Sequence, residues 1–205
     1  TNDNTNIGLI ASDLGDISAF TSTNATSNAI TGNIIVTPSA NGCIGDTIQY
    51  YYTVNATPAI ADKAQTICTG GTFTISPVDG VSNDIVPNGT QYTWTVSTNA
   101  VVTGQSGESS LQTSISQTLT NPTNAPEVVI YTVTPIITNN GVTCIGNTFD
   151  IVVTVNPTIT IANETATICS GATFAVTPAN GGVNNNVLPQ GTWYEWVVSQ
   201  NNNVQ

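Results

Sequence analysis

Two short motifs of this chain occur twice, and both recur at the same spacing. The stretch Thr66–Phe73 (TICTGGTF) returns as Thr167–Phe174 (TICSGATF), and Cys43–Thr47 (CIGDT) returns as Cys144–Thr148 (CIGNT). In both cases the offset is 101 residues. Two landmarks that share one period predict a tandem array of units of ~100 residues, the size of a small β-sandwich, rather than one enzyme fold.

The period divides the chain into three parts. We expect residues 1–57 to be the C-terminal part of one unit, residues 58–157 to be a complete unit, and residues 158–205 to be the N-terminal part of the next. No signal peptide precedes Thr1, and no apolar run approaches the ~20 residues that a membrane helix needs. We therefore expect a longer natural protein and no membrane insertion in this segment.

The charge balance excludes several classes of partner and reaction. Lys63 is the only basic residue, twelve residues are Asp or Glu, His is absent, and the formal net charge is −11. Nucleic acids and anionic membranes need Lys and Arg, so neither is expected as a partner. Without an imidazole base, a triad or a phosphate-clamping cation, and without a recurring pair of acids, we expect no enzyme activity.

Apolar residues alternate with polar ones in a period of two, which predicts an all-β fold of tandem immunoglobulin-like sandwiches. Phe149, Ile151, Val153 and Val155 share one strand face, and Ile48, Tyr50, Tyr52 and Val54 form the matching face one period earlier. Asn-Gly pairs before these strands predict hairpin turns. The residues expected in the core between the two sheets are Trp94, Trp196, Tyr131 and Phe149.

Several stretches together resemble a known family. They are Ile67–Gly70, Tyr92–Val96, Ser114–Asn121, Tyr131–Pro135, and Cys144–Gly146 leading to Val153–Pro157. The combination is similar to the PKD-like, immunoglobulin-type repeats of very large surface adhesins of Bacteroidetes, including those tied to gliding motility. The resemblance implies an extracellular, cell-surface protein that is exported by type IX secretion, with a signal peptide and a sorting domain outside this segment.

The four cysteines predict disulfides rather than zinc, because they are isolated from one another and His is absent. One bond per unit would join Cys68 to Cys144. In a seven-strand sandwich these positions fall at opposite ends, about 30 Å apart, whereas a disulfide needs Cα atoms within ~7 Å. The alternative is a bond across each junction between neighbouring repeats, in which Cys43 and Cys169 hold the equivalent places.

Calcium is the metal that the acidic residues favour most, although we expect no cofactor. The candidate ligands are Asp13 and Asp16, and Asp79 and Asp84 in the loop before Tyr92. Their spacing does not match an EF-hand. At the offset of 101, Asp79 becomes Asn180 and Asp84 becomes Asn185, so a site needed in every unit would lose its charge.

Thr47 is a candidate for O-glycosylation, since Asp46-Thr47-Ile48 fits the short acceptor pattern that the resemblance implies. Its counterpart Asn147-Thr148-Phe149 lacks the acid.

Two functions remain open from the sequence. In the first, the chain is part of the stalk of an adhesin or filament, and its partners are the neighbouring repeats. In the second, exposed residues such as Trp193 or Tyr51 bind a surface polysaccharide or another adhesin chain directly. Trp193 breaks the repeat pattern, because its counterpart is Gln91 or Tyr92 depending on the gap.

Overall fold

A computed structural model describes residues 1–181 and 185–199. The fold is all-β, and its helices in the described residues are the short 3-10 turns Thr5–Ile7 and Val81–Asn83. The strands are β1 (Ile30–Val36), β2 (Ser39–Ala40), β3 (Cys43–Ile44), β4 (Ile48–Val54), β5 (Lys63–Cys68), β6 (Thr72–Ile75), β7 (Gln91–Ser97), β8 (Glu108–Gln112), β9 (Ile115–Thr118), β10 (Glu127–Asn139), β11 (Val142–Ile145) and β12 (Phe149–Asn156).

Strands β5 to β12 form a two-sheet sandwich, which we call the central sandwich (residues 63–156). The larger sheet has the order β5-β12-β10-β7-β8, and β11 extends β10 at one end. The smaller sheet is the antiparallel pair β6-β9. The first strand pairs in parallel with the last, with Ile151 opposite Lys63 and Asn156 opposite Cys68. All other pairs in the sandwich are antiparallel.

The alternation expected from the sequence is confirmed in β12, whose residues are alternately buried and half-buried from Phe149 to Asn156. Tyr131 is fully buried, Phe149 is 2 % exposed, and the Tyr131 ring lies 5.1 Å from that of Phe73 across the sandwich. Trp94 is 7 % exposed, and its indole N–H donates to the backbone oxygen of Ser106 at 3.0 Å. The core therefore lies between the two sheets and is filled by large alternate side chains from both.

The first segment (residues 1–57) contains a smaller sheet. Its strands β1 and β4 pair along their whole length, and β2 pairs with β3. The face that the sequence assigned to a core is largely open, because Ile48, Tyr50 and Tyr52 are 51 %, 53 % and 44 % exposed. The corresponding residues of β12 are buried by β6 and β7, and the described part of the first segment has no strands in those places.

The predicted hairpin turns are confirmed. Asn41 and Gly42 have φ angles of 49° and 80°, and Asn140 and Gly141 have 49° and 79°. Positive φ at both central residues defines a type I′ turn, whose twist matches that of paired strands. The β2-β3 and β10-β11 hairpins therefore close in the same way.

The last segment (residues 158–181 and 185–199) corrects one core prediction. Trp196 is 81 % exposed, whereas Trp94, the residue that it was expected to repeat, lies in the core. Trp94 is covered because β7 pairs with β10 and β8 on either side. Among the described residues of the last segment no such neighbouring strands form, so the Trp196 side chain has nothing to pack against.

Candidate functional site

The contact between the first segment and the central sandwich is the candidate functional site, and we call it the first junction. The chain crosses it through a linker with two buried residues, since Ala56 is 1 % exposed and Pro58 is fully buried, whereas Thr57 and Ala59 are exposed. Gly146 covers Pro58 so closely that a Cβ atom at this position would lie 2.1 Å from the Pro58 oxygen. The amide of Gly146 also donates to the backbone oxygen of Pro135 at 2.9 Å. A linker that is buried in this way restricts hinge motion between the two bodies.

The β10-β11 hairpin reaches back to the end of the first segment. A cavity of about 290 Å³ lies between them, lined by Val142 and Cys144 from the hairpin and by Val54 and Asn55 from the end of β4, among others. Cys144 therefore lines a cavity that its hairpin shares with the neighbouring body.

A loop contact adds to the first junction. The pKa of Asp79 is lowered, first by the hydrogen bond from the Val86 backbone N–H and second by a hydrogen bond from the Ser27 side chain of the first segment. The Val86 amide lies 2.9 Å from the Asp79 carboxylate. The ionised Asp79 thus holds its own loop in shape, and the Ser27 side chain of the first segment further favours its charged form.

The contact between the central sandwich and the last segment, the second junction, brings together the same two kinds of loop. A cavity of about 280 Å³ there is lined by Thr123 and Asn124 on one side and by Asn180 and Asn186 on the other, among others. The Asn121 side chain orders the loop on the sandwich side by donating to Ala125 and Val155 backbone oxygens at 2.7 and 2.8 Å.

Asn24 makes the same contacts in the first segment. Its side chain donates to the backbone oxygens of Asn28 at 2.8 Å and Val54 at 3.0 Å. Asn24 was not among the functional residues that the sequence analysis named. The signal available was the recurrence of Thr-Asn-x-Thr at residues 23–26 and 120–123, at a spacing that differs from the main period because the hairpins differ in length.

The acidic candidates for calcium have other tasks. Asp79 accepts from the Val86 amide at 2.9 Å, and Asn180 accepts from the Leu188 amide at the same distance. An uncharged amide thus makes the same loop contact as the carboxylate. Across residues 1–181 and 185–199, no three Cys, Asp or Glu side chains lie close enough together to hold a metal ion. Asp13 and Asp16 are exposed in the first segment.

The predicted counterpart of Asp84 was wrong by one residue. Asp84 accepts from the Ala61 amide at 2.9 Å, and the residue that accepts from Ala162 at 2.9 Å is Asn186, not Asn185. The last segment therefore has one more residue in this loop. With the offset increased by this one residue, Trp193 corresponds to Gln91 and Trp196 corresponds to Trp94.

Asp84 also forms the ion pair of the central sandwich. Its carboxylate lies 2.6 Å from the Lys63 ammonium, and the two side chains are 1 % and 19 % exposed respectively. Lys63 is the only Lys or Arg of the sequence, and its charge is thus paired with Asp84.

All four cysteines carry free thiols in this structure. Cys68 pairs with Asn156 at one end of the larger sheet, and Cys144 pairs with Ile137 at the other. Glu127, which pairs with Val155, is ten positions from Ile137 along β10, so the two cysteines are separated by roughly 33 Å at ~3.3 Å per residue. That separation is far beyond the ~7 Å limit for a disulfide.

The remaining predicted positions lie at the surface. Thr47, the candidate for glycosylation, is exposed just before β4. Trp193 is 76 % exposed and Tyr51 is 70 % exposed, so both are accessible to a ligand. They belong to different segments of the chain.

Within the described residues no helix has the length and apolar character needed to cross a membrane. No protein with curated annotation matches the chain. PKD-like domains are typically extracellular. The sandwich, with its parallel pair of first and last strands, coincides with the part of the chain that matches a known family: residues 65–159 match the family described as the PKD-like domain.

Proposed function

We propose that the chain is part of a tandem array of PKD-like sandwiches that acts as a stiff spacer in an extracellular surface adhesin or filament. The observation that carries this proposal is the first junction, where Ala56 is 1 % exposed and the β10-β11 hairpin shares a cavity with the end of β4. A freely jointed string of domains would leave such a linker exposed. The proposal includes no catalytic step and no cofactor.

Recurring contacts support the tandem arrangement with a period of about 101 residues. The threonine hydroxyl of Thr90 donates to the Pro87 oxygen at 2.7 Å, and that of Thr192 donates to the Pro189 oxygen at 2.7 Å. The bridge between Ala59 and Ile85 likewise recurs between Thr160 and Val187. We take residues 1–57, 58–157 and 158–205 as the C-terminal part, the complete unit and the N-terminal part.

The wider setting follows from the likeness to repeats of large Bacteroidetes adhesins. In that setting the protein is displayed on the cell surface after type IX secretion and serves attachment or gliding, with neighbouring repeats as its main partners. The acidic surface, with a formal net charge of −11, keeps such an array soluble outside the cell.

Deletion of one unit tests the spacer role. Removal of residues 58–158, one full period of 101 residues, joins Thr57 to Ile159, the equivalent of Pro58, so the array closes up in register. We expect the cells to keep their adhesion while the reach of the surface fibre, measured by electron microscopy, falls by the length of one unit. Loss of adhesion with unchanged fibre length would refute the spacer role.

Direct binding of a surface polysaccharide is the second candidate, and the exposure of Trp193 and Tyr51 favours it. An exposed indole is a common platform for sugar rings. Trp193→Ala would abolish glycan retention if this function holds, and Val197→Ala is a matched control because Val197 is 96 % exposed on the same segment. Equal retention by both variants and the parent chain would exclude this role for Trp193.

A further inference from the structure

The two cysteines of the central sandwich lie at its two ends, each next to a different junction. Cys68 is the last residue of β5 and pairs with Asn156, the last residue of β12, from which the chain passes to the last segment. Cys144 pairs with Ile137 near the other end of the sheet and lines the cavity of the first junction. Each cysteine therefore lies at the end of the sandwich that adjoins a neighbouring repeat.

The hydrogen bonds of Thr69, which follows Cys68, show what holds the end of β5 in a complete unit. The Thr69 amide donates to the backbone oxygen of Asn156 at 2.8 Å. The Thr69 hydroxyl accepts from the Asn121 amide at 2.7 Å. Cys68 itself lies on the strand next to Asn156, ~4.8 Å away. The position of this cysteine is thus fixed by two asparagines of the same repeat.

The first segment carries the equivalents of these two asparagines. Asn24 makes the same side-chain contacts as Asn121, at 2.8 and 3.0 Å. Asn55 lies one period before Asn156. Both Asn24 and Asn55 line the cavity of about 290 Å³ that Cys144 also lines. In the repeat before the central sandwich, the end of the strand equivalent to β5 therefore lies beside Cys144.

The same two loops meet at both junctions. At the second junction, Asn124 and Asn180 line one cavity. Their counterparts at the first junction are Ser27 and Asp79. The pKa of Asp79 is lowered first by the Val86 amide and second by the Ser27 side chain, so these two loops are also neighbours. A relation between repeats at the first junction therefore applies at the second.

We propose that a disulfide crosses each junction of the array and joins the position of Cys68 in one repeat to the position of Cys144 in the next. Both positions recur as cysteine, since Cys169 repeats the first and Cys43 repeats the second. Within one repeat the two are separated by roughly 33 Å, far beyond the ~7 Å limit. The proposal rests on the tandem array of the proposed function and adds the bond that holds its repeats together.

Formation of this bond is a two-electron oxidation. Two thiols lose two protons and two electrons, and an S–S bond replaces two S–H bonds. The oxidant is another disulfide, of a small molecule or of a thiol–disulfide oxidoreductase, which is released as two thiols. Residues 1–205 contain one of the two partner positions at each junction, Cys144 at the first and Cys68 at the second. The bond therefore forms in a longer array.

Duplication of the complete unit creates a junction with both cysteines. When residues 58–158 are repeated once after Thr158, the new connection Thr158-Pro58 matches Thr57-Pro58, and the repeats stay in register. The duplicated chain is incubated with oxidised and reduced glutathione, and its monomer fraction is digested with pepsin without reduction. We expect mass spectrometry to find a linked peptide pair that contains Cys68 and Cys144 and that is lost on reduction.

Substitutions in single copies show which copies are linked. Cys144→Ser in the second copy should abolish the linked peptide, because it removes the partner of Cys68 in the first copy. The same substitution in the first copy is the matched control and should leave the linked peptide unchanged. Circular dichroism checks that both variants keep the fold. A linked peptide that survives both substitutions would come from a bond within a repeat and would overturn the proposal, as would its absence from the duplicated chain.

Small-angle X-ray scattering of the duplicated chain distinguishes this proposal from the spacer function. Its maximum dimension should exceed that of the parent chain by the length of one unit, in the oxidised and in the reduced state. Growth of this size without a linked peptide would refute the disulfide and leave the spacer function intact. A dimension that does not grow would refute the stiff array on which the disulfide depends.

Discussion

The ion pair between Lys63 and Asp84 allows a sharp test of how the central sandwich is stabilised. Asp84→Asn keeps the bond from the Ala61 amide, as the contact of Asn186 with Ala162 demonstrates. The change therefore removes only the charge-assisted bond at 2.6 Å. Such bonds contribute about 1.5–3 kcal/mol.

The partial exposure of the Lys63 side chain, 19 %, sets the expected value. After Asp84→Asn the ammonium can turn towards water, so we expect the free energy of unfolding to fall by about 2 kcal/mol, near the lower end of that range. For a domain of this size the melting temperature should drop by roughly 10 °C. Lys63→Glu should cost more, about 3 kcal/mol, because it places a second carboxylate beside the buried one.

A double variant tests whether the stabilisation comes from the contact between Lys63 and Asp84 or from each charge separately. Lys63→Glu with Asp84→Asn reproduces the residues found one period later, Glu164 and Asn186. We expect it to lose only about 2 kcal/mol, so that the two changes fall about 3 kcal/mol short of additivity. Urea denaturation followed by the fluorescence of the buried Trp94 measures all three variants. Additive losses, or a loss below about 0.5 kcal/mol for Asp84→Asn, would refute the reasoning.

Two further predictions concern the junction and the core. Gly146→Ala should lower the free energy of unfolding by about 2 kcal/mol, because its Cβ would meet the Pro58 oxygen at 2.1 Å. Gly45→Ala is the control, and because its nearest contact is at 3.1 Å it should cost less than half as much in thermal denaturation. Equal losses in the two variants would show that the close approach is unimportant. Burial raises the pKa of Tyr131 to about 12, and burial followed by the charge of Asp84 does the same for Tyr92. Since both folded values lie above the usual pKa of about 10, the stabilisation is complete below about pH 10 and is lost as the pH rises towards about 12. Ultraviolet titration of the phenols should show Tyr92 and Tyr131 ionising only as the chain unfolds. Ionisation of all tyrosines near pH 10 in the folded chain would contradict this prediction.

The alternating pattern of β10 and β12 was predictable because burial on one face of a strand requires a period of two, which any reader of the sequence can see. The Asn-Gly turns were predictable for a similar reason, since only a few residues accept positive φ at both central positions. The exposure of Trp196 was not, because a local pattern states that a side chain suits a core but not whether a partner strand is there to cover it.

The contacts at the two junctions were also beyond what the sequence could predict. The sequence by itself determined the β class and the strand faces, because these depend on spacing and side-chain type within short stretches. Only the tertiary structure decided that Asn186 rather than Asn185 replaces Asp84, and that Cys144 lines a cavity shared with the end of the first segment. Those relations depend on distances between residues far apart in the chain, and such distances are set by how the sheets pack.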